Sequence, residues 1–256
     1  MEATSAASDV LRRYALTIGD TSLILAQRLG EWIGHAPALE EDLALANIAL
    51  DLLGQARYLL SHAAQLQGNG GTEDDLAFLR DPQDFLNLSL VEQPNGDFGQ
   101  TIVRQFLIDA WQLELFERLQ QSSEPKLAEL AAKAIKETRY HFRFSSGWMV
   151  RLGDGTEESH RRVQTALDAL WRFTHEMFVA SPVEQEAAAL GIGPDPASLA
   201  AGWASRVEEV LQEATLKRPA DVAYSWHGKR GQHSEHLSRL LAEMQIMQRT
   251  YPGAQW

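Results

Sequence analysis

The sequence lacks cysteine and is short of positive charge, and each shortage excludes a class of protein. Without cysteine the 256-residue chain has neither disulfide bonds nor thiolate ligands for a metal. Its 23 Lys and Arg residues stand against 35 Asp and Glu residues, which gives a formal net charge of −12. An acidic protein repels the phosphates of nucleic acids and of anionic membranes, so we expect neither as a partner.

Segments that target or anchor a chain are also lacking. No apolar run approaches the length of a membrane span, and the first residues do not follow the pattern of a signal peptide. We therefore expect a cytoplasmic protein. A composition of 45% hydrophobic and 23% charged residues is ordinary for a globular chain of this length. We predict a single domain over residues 1–256.

The alternation of apolar and polar residues that marks β-strands is missing, and nearly every segment has helical periodicity instead. Two long hairpins, 8–66 and 98–152, followed by appended helices at 155–250, are typical of a ferritin-like bundle. The predicted fold class is therefore all-α, a ferritin-like helical bundle with additional C-terminal helices. The predicted helices are 8–34, 39–66, 72–80, a short one starting at Pro82, 98–121, 125–152, 156–178, 182–190, 195–216 and 234–250.

The second predicted helix carries almost no charge. Between Leu43 and Leu60 the only charged residues are Asp51 and Arg57. A helix that is apolar on all sides is typical of a protein core. We therefore expect both charged side chains to be buried, each with a partner of opposite charge.

Histidine is missing at the positions where a two-metal bundle needs it. Such bundles bind their metals with a Glu on each of two helices and Glu-x-x-His on each of the other two. On the second hairpin Glu137 occupies the Glu position, but Tyr140 stands three residues later and His141 four. On the first hairpin the corresponding acid is Asp51, and the residue three positions later is Gly54. Neither hairpin has the required pair.

The remaining acid ligands can be placed by spacing. Asp109 precedes Glu137 by 28 residues, and the same offset before Asp51 falls on Leu23, which cannot bind a metal. Three acids thus stand at the positions of a former metal site. We call Asp51, Asp109 and Glu137 the remnant acids.

Two interpretations of the remnant acids are open. We favour the one in which they bind no metal and this chain has no catalytic, cofactor-binding or metal-binding residue. The acids would then be neutralised by buried bases such as Arg57 or Arg104, by His141 and Tyr140, or by protons. In the other interpretation one or two metals are bound by the remnant acids with His141 as a displaced ligand.

A second group of polar residues lies near the C-terminus, in the segment WHGKRGQHSEH. It contains His227, His233 and His236 beside Lys229 and Arg230. The histidines lack the i,i+4 spacing of helical zinc motifs, and the Gly-Lys-Arg-Gly run is not a phosphate-binding Walker loop. We interpret the segment as a basic loop at the start of a helix that docks on a partner.

Several blocks of the sequence resemble one known family. They are LGEWIGHAPALEEDLALANIALDLLGQARYLL (29–60), LVEQPNGDF, FLIDAW, AIKETRYHFRFSSGWMVRLGDGT and HSEHLSRLLAEMQ. These blocks are similar to the phenylacetic acid catabolic protein family, and within it to the C subunits of phenylacetyl-CoA epoxidase. That enzyme is the ring-epoxidising monooxygenase complex of aerobic phenylacetate breakdown. The resemblance extends from about residue 13 to Trp256.

The resemblance implies a ferritin-like structural subunit that pairs with a similar, catalytic A subunit. In the family the A subunit holds the di-iron centre and binds phenylacetyl-CoA, while a reductase subunit supplies electrons from NADPH. The catalytic pattern of the family cannot be carried over, because Gly54 and Tyr140 stand where its histidines would be, and Leu23 in place of a Glu. We therefore expect a non-catalytic subunit that has no cofactor of its own and can form a homo-oligomer when alone.

Two other functions stay open at this point. One is an independent di-metal carboxylate oxygenase or oxidase with displaced ligands, and the other is a helical scaffold unrelated to oxygenases. The resemblance also leaves open whether Lys229 and Arg230 contact the phosphates of CoA.

Overall fold

The structure is a computed structural model that describes the backbone of residues 2–222 and 226–254, with side chains from residue 6 onward. Within these ranges it contains ten α-helices and no strand, so the all-α prediction is confirmed. The predicted tail residue Trp256 lies outside the described residues. The helices are α1 (Glu2–Trp32), α2 (Leu39–Gln67), α3 (Glu73–Phe78), α4 (Phe98–Leu119), α5 (Pro125–Gly153), α6 (Glu157–Trp171), α7 (Pro182–Ala189), α8 (Ala200–Glu213), α9 (Glu235–Met244) and α10 (Ile246–Thr250).

Most helix ends follow capping signals that are visible in the sequence. The Asp97 side chain accepts a hydrogen bond from the Gln100 amide at 2.9 Å and so caps α4. Pro125 occupies the first turn of α5, where its missing N–H costs nothing. Thr156 and Ser159 form a reciprocal capping box at the start of α6.

Three predicted helices are interrupted. The helix predicted for 156–178 ends at Trp171 and is followed by a 3-10 helix at Thr174–Phe178, and a 3-10 turn precedes α8. The last helix breaks at Gln245, between α9 and α10. The buried Gln245 amide donates hydrogen bonds to the carbonyl oxygens of Ala77 and Arg80, at 3.1 and 3.0 Å. These distant contacts fix the break, and no local sequence signal predicts them.

The chain divides into two compact units. Unit 1 comprises residues 1–33, 42–94 and 226–256, and unit 2 comprises residues 34–41 and 95–225. In unit 1, helices α1 and α2 approach closely at Gly19, where an added Cβ would lie 3.1 Å from the Leu59 side chain. In unit 2, α4 packs along α5, and both helices also contact α6 and α8. The single domain predicted for residues 1–256 stays a prediction.

Helix α2 is not buried on all sides, and that prediction is wrong for one face. Leu43 and Leu50 are 55% and 65% exposed, although both are large apolar residues. By length and composition α2 could also cross a membrane, which the sequence analysis did not anticipate; 44% of its most apolar window is buried. Core helices of globular proteins meet the same criterion. The exposed apolar face is the unusual feature of this helix.

Candidate functional site

Helix α4 is buried almost throughout its length. The charged or amide side chains of Arg104, Gln105, Asp109, Gln112 and Glu114 all lie inside unit 2. Burying such groups is costly unless they find partners, so each needs a hydrogen bond or a compensating charge. The partners of Asp109, the remnant acid on this helix, decide what the site can do.

The Asp109 carboxyl group is fully buried and is hydrogen-bonded to two neutral side chains. Gln105 Nε2 lies 2.7 Å from one of its oxygens, and Ser145 Oγ, on α5, lies 2.7 Å from the other. Burial raises the pKa of Asp109 from its ordinary value of 3.8 to about 8, and the bonds with Ser145 and Gln105 lower it by less. Asp109 is therefore a neutral carboxylic acid at neutral pH.

The hydrogen-bond geometry accommodates that proton. The Ser145 hydroxyl donates to Asp109 at 2.7 Å and also lies 3.3 Å from the Phe142 carbonyl oxygen. When Asp109 carries its proton, the serine hydroxyl can rotate to donate to Phe142, and its Oγ then accepts the proton of the acid. The other Asp109 oxygen accepts from the Gln105 amide. Among the described residues no cation contacts this carboxyl group, so the proton takes the place of the buried bases expected from the sequence.

The other predicted residues of α5 do not all face Asp109. His141 is fully buried, whereas Glu137 is half-buried and Tyr140 is 41% exposed. The Tyr140 ring lies edge-on to His141, with centroids 6.4 Å apart, and the Arg143 guanidinium lies 5.6 Å from its centroid. Sequence reasoning missed Ser145, the α5 residue that does contact Asp109.

Arg104, one of the bases expected to neutralise the acids, is also fully buried. Its guanidinium donates to the Asn95 side-chain oxygen at 2.5 Å. Asp109 does not use it, because its own polar contacts are the Ser145 hydroxyl and the Gln105 amide. Of the neutralising groups considered from the sequence, Arg104 is therefore not the partner of Asp109.

The residues of the first hairpin lie in unit 1, where they are more exposed than expected. Asp51 is half-buried, and Gly54 is exposed with open space around it. Arg57 was expected in the core, but its side chain is 76% exposed and donates to Glu73 at 3.2 Å. Leu23, which the spacing argument placed at a ligand position, is buried on α1.

A two-metal centre does not fit this set of residues. Di-metal carboxylate sites use ionised carboxylates and imidazoles that converge on the ions. Asp109 instead meets a hydroxyl and an amide, and on α5 Glu137 is half-buried while Tyr140 is exposed. Within the described residues, no three His, Asp or Glu side chains are grouped as metal ligands would be.

A second buried polar cluster lies in unit 1, where His233, expected from the sequence in a loop that docks on a partner, instead contacts the buried Glu92. The fully buried Glu92 carboxylate accepts from His233 Nδ1 at 2.9 Å, from the Ser234 amide at 2.6 Å and from Asn87 Nδ2 at 3.2 Å. The Glu92 carbonyl oxygen accepts from the Arg28 guanidinium. One residue thus joins α1, the loop before α4 and the C-terminal segment.

His233 completes this cluster with both of its ring nitrogens. Its Nδ1 lies 2.9 Å from the Glu92 carboxyl group and its Nε2 lies 2.8 Å from the Phe85 carbonyl oxygen. Both partners offer acceptor oxygens, so the ring is held on both sides by hydrogen bonds. The neighbouring Lys229 is buried, and a Cβ at Gly228 would lie 2.3 Å from the Asn87 carbonyl oxygen. The segment is thus packed into unit 1 over Gly228, Lys229 and His233.

The sequence places this helical chain in a known class of protein. The chain is a member of the phenylacetic acid catabolic protein family, whose sequence model matches residues 1–256. The ferritin-like fold class predicted above is confirmed with it.

One similar protein is named as a subunit of an enzyme. The chain is 56% identical over 246 residues to the C subunit of 1,2-phenylacetyl-CoA epoxidase from Escherichia coli (strain K12). The similarity covers 96% of this chain and 99% of that protein, so the two correspond along almost their whole length.

Proposed function

We propose that the chain is the non-catalytic structural subunit of a cytoplasmic phenylacetyl-CoA epoxidase complex in aerobic phenylacetate degradation. It supports a catalytic ferritin-like A subunit, which holds the di-iron centre and binds phenylacetyl-CoA, and a reductase completes the complex. The overall similarity to the C subunit of an epoxidase supports the complex. The state of Asp109 supports the non-catalytic role.

A metal ligand in the position of Asp109 would have to be ionised and accessible to the ion. Burial favours the protonated acid, and the two nearest polar groups, Ser145 and Gln105, already satisfy both of its oxygens. This hydrogen-bonded acid holds α4 against α5 without a metal. The chain therefore keeps the helical framework of a two-metal bundle and replaces the ions by a proton and neutral donors.

A protein without chemistry of its own can still support catalysis. An iron site depends on outer residues that fix the orientation of its ligands, and those residues need a rigid surrounding. A second bundle packed against the catalytic subunit supplies that rigidity and keeps water away from the buried face. This role needs a stable surface on the present chain, and it needs no active site.

The test is a comparison of the catalytic subunit expressed with and without this chain. We expect the A subunit, with its reductase, to oxidise phenylacetyl-CoA only when the chain is present, and the chain alone with the reductase to be inactive. A catalytic subunit that turns over at the full rate without the chain would refute the supporting role.

The metal-binding alternative has its own test. The purified chain and its Asp109→Asn variant are incubated anaerobically with ferrous iron, and the bound iron is measured after desalting. We expect the same background amount in both, because the variant keeps the shape and hydrogen bonds of the protonated acid. Stoichiometric iron that disappears in the variant would make the chain an independent two-metal protein and overturn the proposal.

A further inference from the structure

One face of α2 carries an uncovered apolar stripe. It consists of Leu43, Ala46, Leu50, Leu53 and Gly54, which we call the α2 stripe. Leu43 and Leu50 are largely exposed, and Ala46 and Leu53 are half-buried. Large exposed apolar residues grouped on one surface usually mark an interaction site.

The spacing of the α2 stripe matches a second helix. Its first four residues are separated by three, four, and three positions, as in positions a and d of a heptad with a period of about 3.5. That period keeps the same side chains facing a partner helix over several turns. Neither a strand nor a flexible peptide requires this spacing, so the occupant it fits is an α-helix.

Gly54 allows close approach at the carboxyl end of the stripe. A Cβ placed there would meet nothing within 4 Å, so the helix itself does not need the glycine for packing. A glycine inside a helix costs stability relative to alanine. Its open space is therefore available to a side chain of another molecule.

The charge around the stripe argues against a second copy of the chain as the occupant. Each copy has a formal net charge of −12, and like-charged copies repel one another. Glu40, Glu41 and Asp42 precede the stripe on the same helix, so the complementary surface is basic there. The relative is named as one subunit of an enzyme, which favours a different subunit over a second copy as the occupant.

We propose that the α2 stripe is the docking face for a helix of the catalytic subunit, one with an apolar 3–4 repeat and a basic residue opposite Glu40 and Glu41. The proposal rests on the proposed function, because it takes the catalytic subunit as the partner. A stable interface buries roughly 800 Å² on each side, more than one stripe of five residues provides. The stripe is thus the centre of a larger contact.

Two variants block the stripe in different ways. Leu50→Glu places a carboxylate in the contact, and Gly54→Leu fills the open space with a good helix former. The matched controls are Leu190→Glu, at an exposed leucine that ends α7, and Gly147→Leu, at an open glycine inside α5. Circular dichroism and thermal unfolding of each isolated chain show whether it is folded.

The measurement is the affinity of each chain for the purified catalytic subunit, with co-purification after co-expression as a second readout. We expect Leu50→Glu to weaken binding at least about a hundredfold, because a buried unpaired carboxylate is costly. Gly54→Leu is expected to weaken it at least about tenfold through overpacking. Both controls should bind like the unaltered chain.

Three results would overturn the docking proposal. The first is that both stripe variants bind the catalytic subunit normally, although that subunit still needs the chain for activity. This result would refute the docking face and leave the proposed function intact. Another is equal loss in the variants and in their controls. The third is a stripe variant that only dissociates a homo-oligomer, measured by analytical ultracentrifugation, with unchanged affinity for the catalytic subunit. If the catalytic subunit needs no such chain, the proposed function itself fails.

Discussion

The protonated state of Asp109 makes stability depend on pH in a way that one substitution removes. Asp109→Asn keeps the hydrogen bonds of the neutral acid: the new amide donates to Ser145 Oγ and its oxygen accepts from Gln105. The variant cannot ionise. The difference in unfolding free energy between the two proteins therefore isolates the ionisation of one carboxyl group.

The sign and size of that difference follow from the two pKa values. Below about pH 4 the acid is protonated in folded and unfolded chains alike, and its ionisation has no effect on stability. Above that pH the unfolded chain releases the proton, while the folded chain retains it until about pH 8. The unaltered protein thus loses roughly 1 kcal/mol of stability per pH unit in this window relative to Asp109→Asn.

Urea unfolding of both proteins at pH 5, 6 and 7 measures the effect. We expect the stability of Asp109→Asn, relative to the unaltered chain, to rise by about 2–3 kcal/mol from pH 5 to pH 7. Infrared spectroscopy at neutral pH gives a second readout, since a carboxylic acid band should vanish in the variant. Parallel pH profiles together with an unchanged infrared spectrum would show that Asp109 is ionised and would refute the reasoning.

Two further substitutions test the charged groups of unit 1. His233→Gln removes the imidazole that is hydrogen-bonded to the buried Glu92, so we expect it to lower the unfolding free energy by about 1–3 kcal/mol; an unchanged free energy in urea unfolding would contradict a structural role for this contact. Arg57→Ala breaks an ion pair in which Arg57 is largely exposed, and we expect a change below about 1 kcal/mol in the same assay. A larger loss would mean that Arg57 has a structural role in the core, as the sequence pattern had suggested.

The starts of α4 and α5 were predictable because local chemistry sets them, whereas α1 begins at Glu2, six residues before its predicted start. Pro125 starts α5 and Asp97 caps α4, and each signal acts within a few residues. The break within the last predicted helix depends instead on the amide of Gln245, which bonds carbonyl oxygens more than 160 residues away in sequence. Such contacts leave no local pattern.

The candidate site was predictable only in part, because residue spacing does not fix the register between helices. The spacing rule paired Asp109 with Glu137, whereas its contact on α5 is Ser145, two turns further along that helix. The apolar composition of α2 predicted that Leu50 lies in the core, but Leu50 is exposed. Composition identifies an apolar surface and does not show whether the same chain covers it.

The cluster around Glu92 joins segments that leave the ribosome at very different times. Most of unit 2 is one continuous stretch, residues 95–225, and it can fold as soon as that stretch leaves the ribosome. Two of the groups that bond the Glu92 side chain, the His233 ring and the Ser234 amide, follow it by 141 and 142 residues. Unit 1 therefore stays incomplete through most of translation, and a ribosome that stops before His233 leaves the buried Glu92 without these two partners.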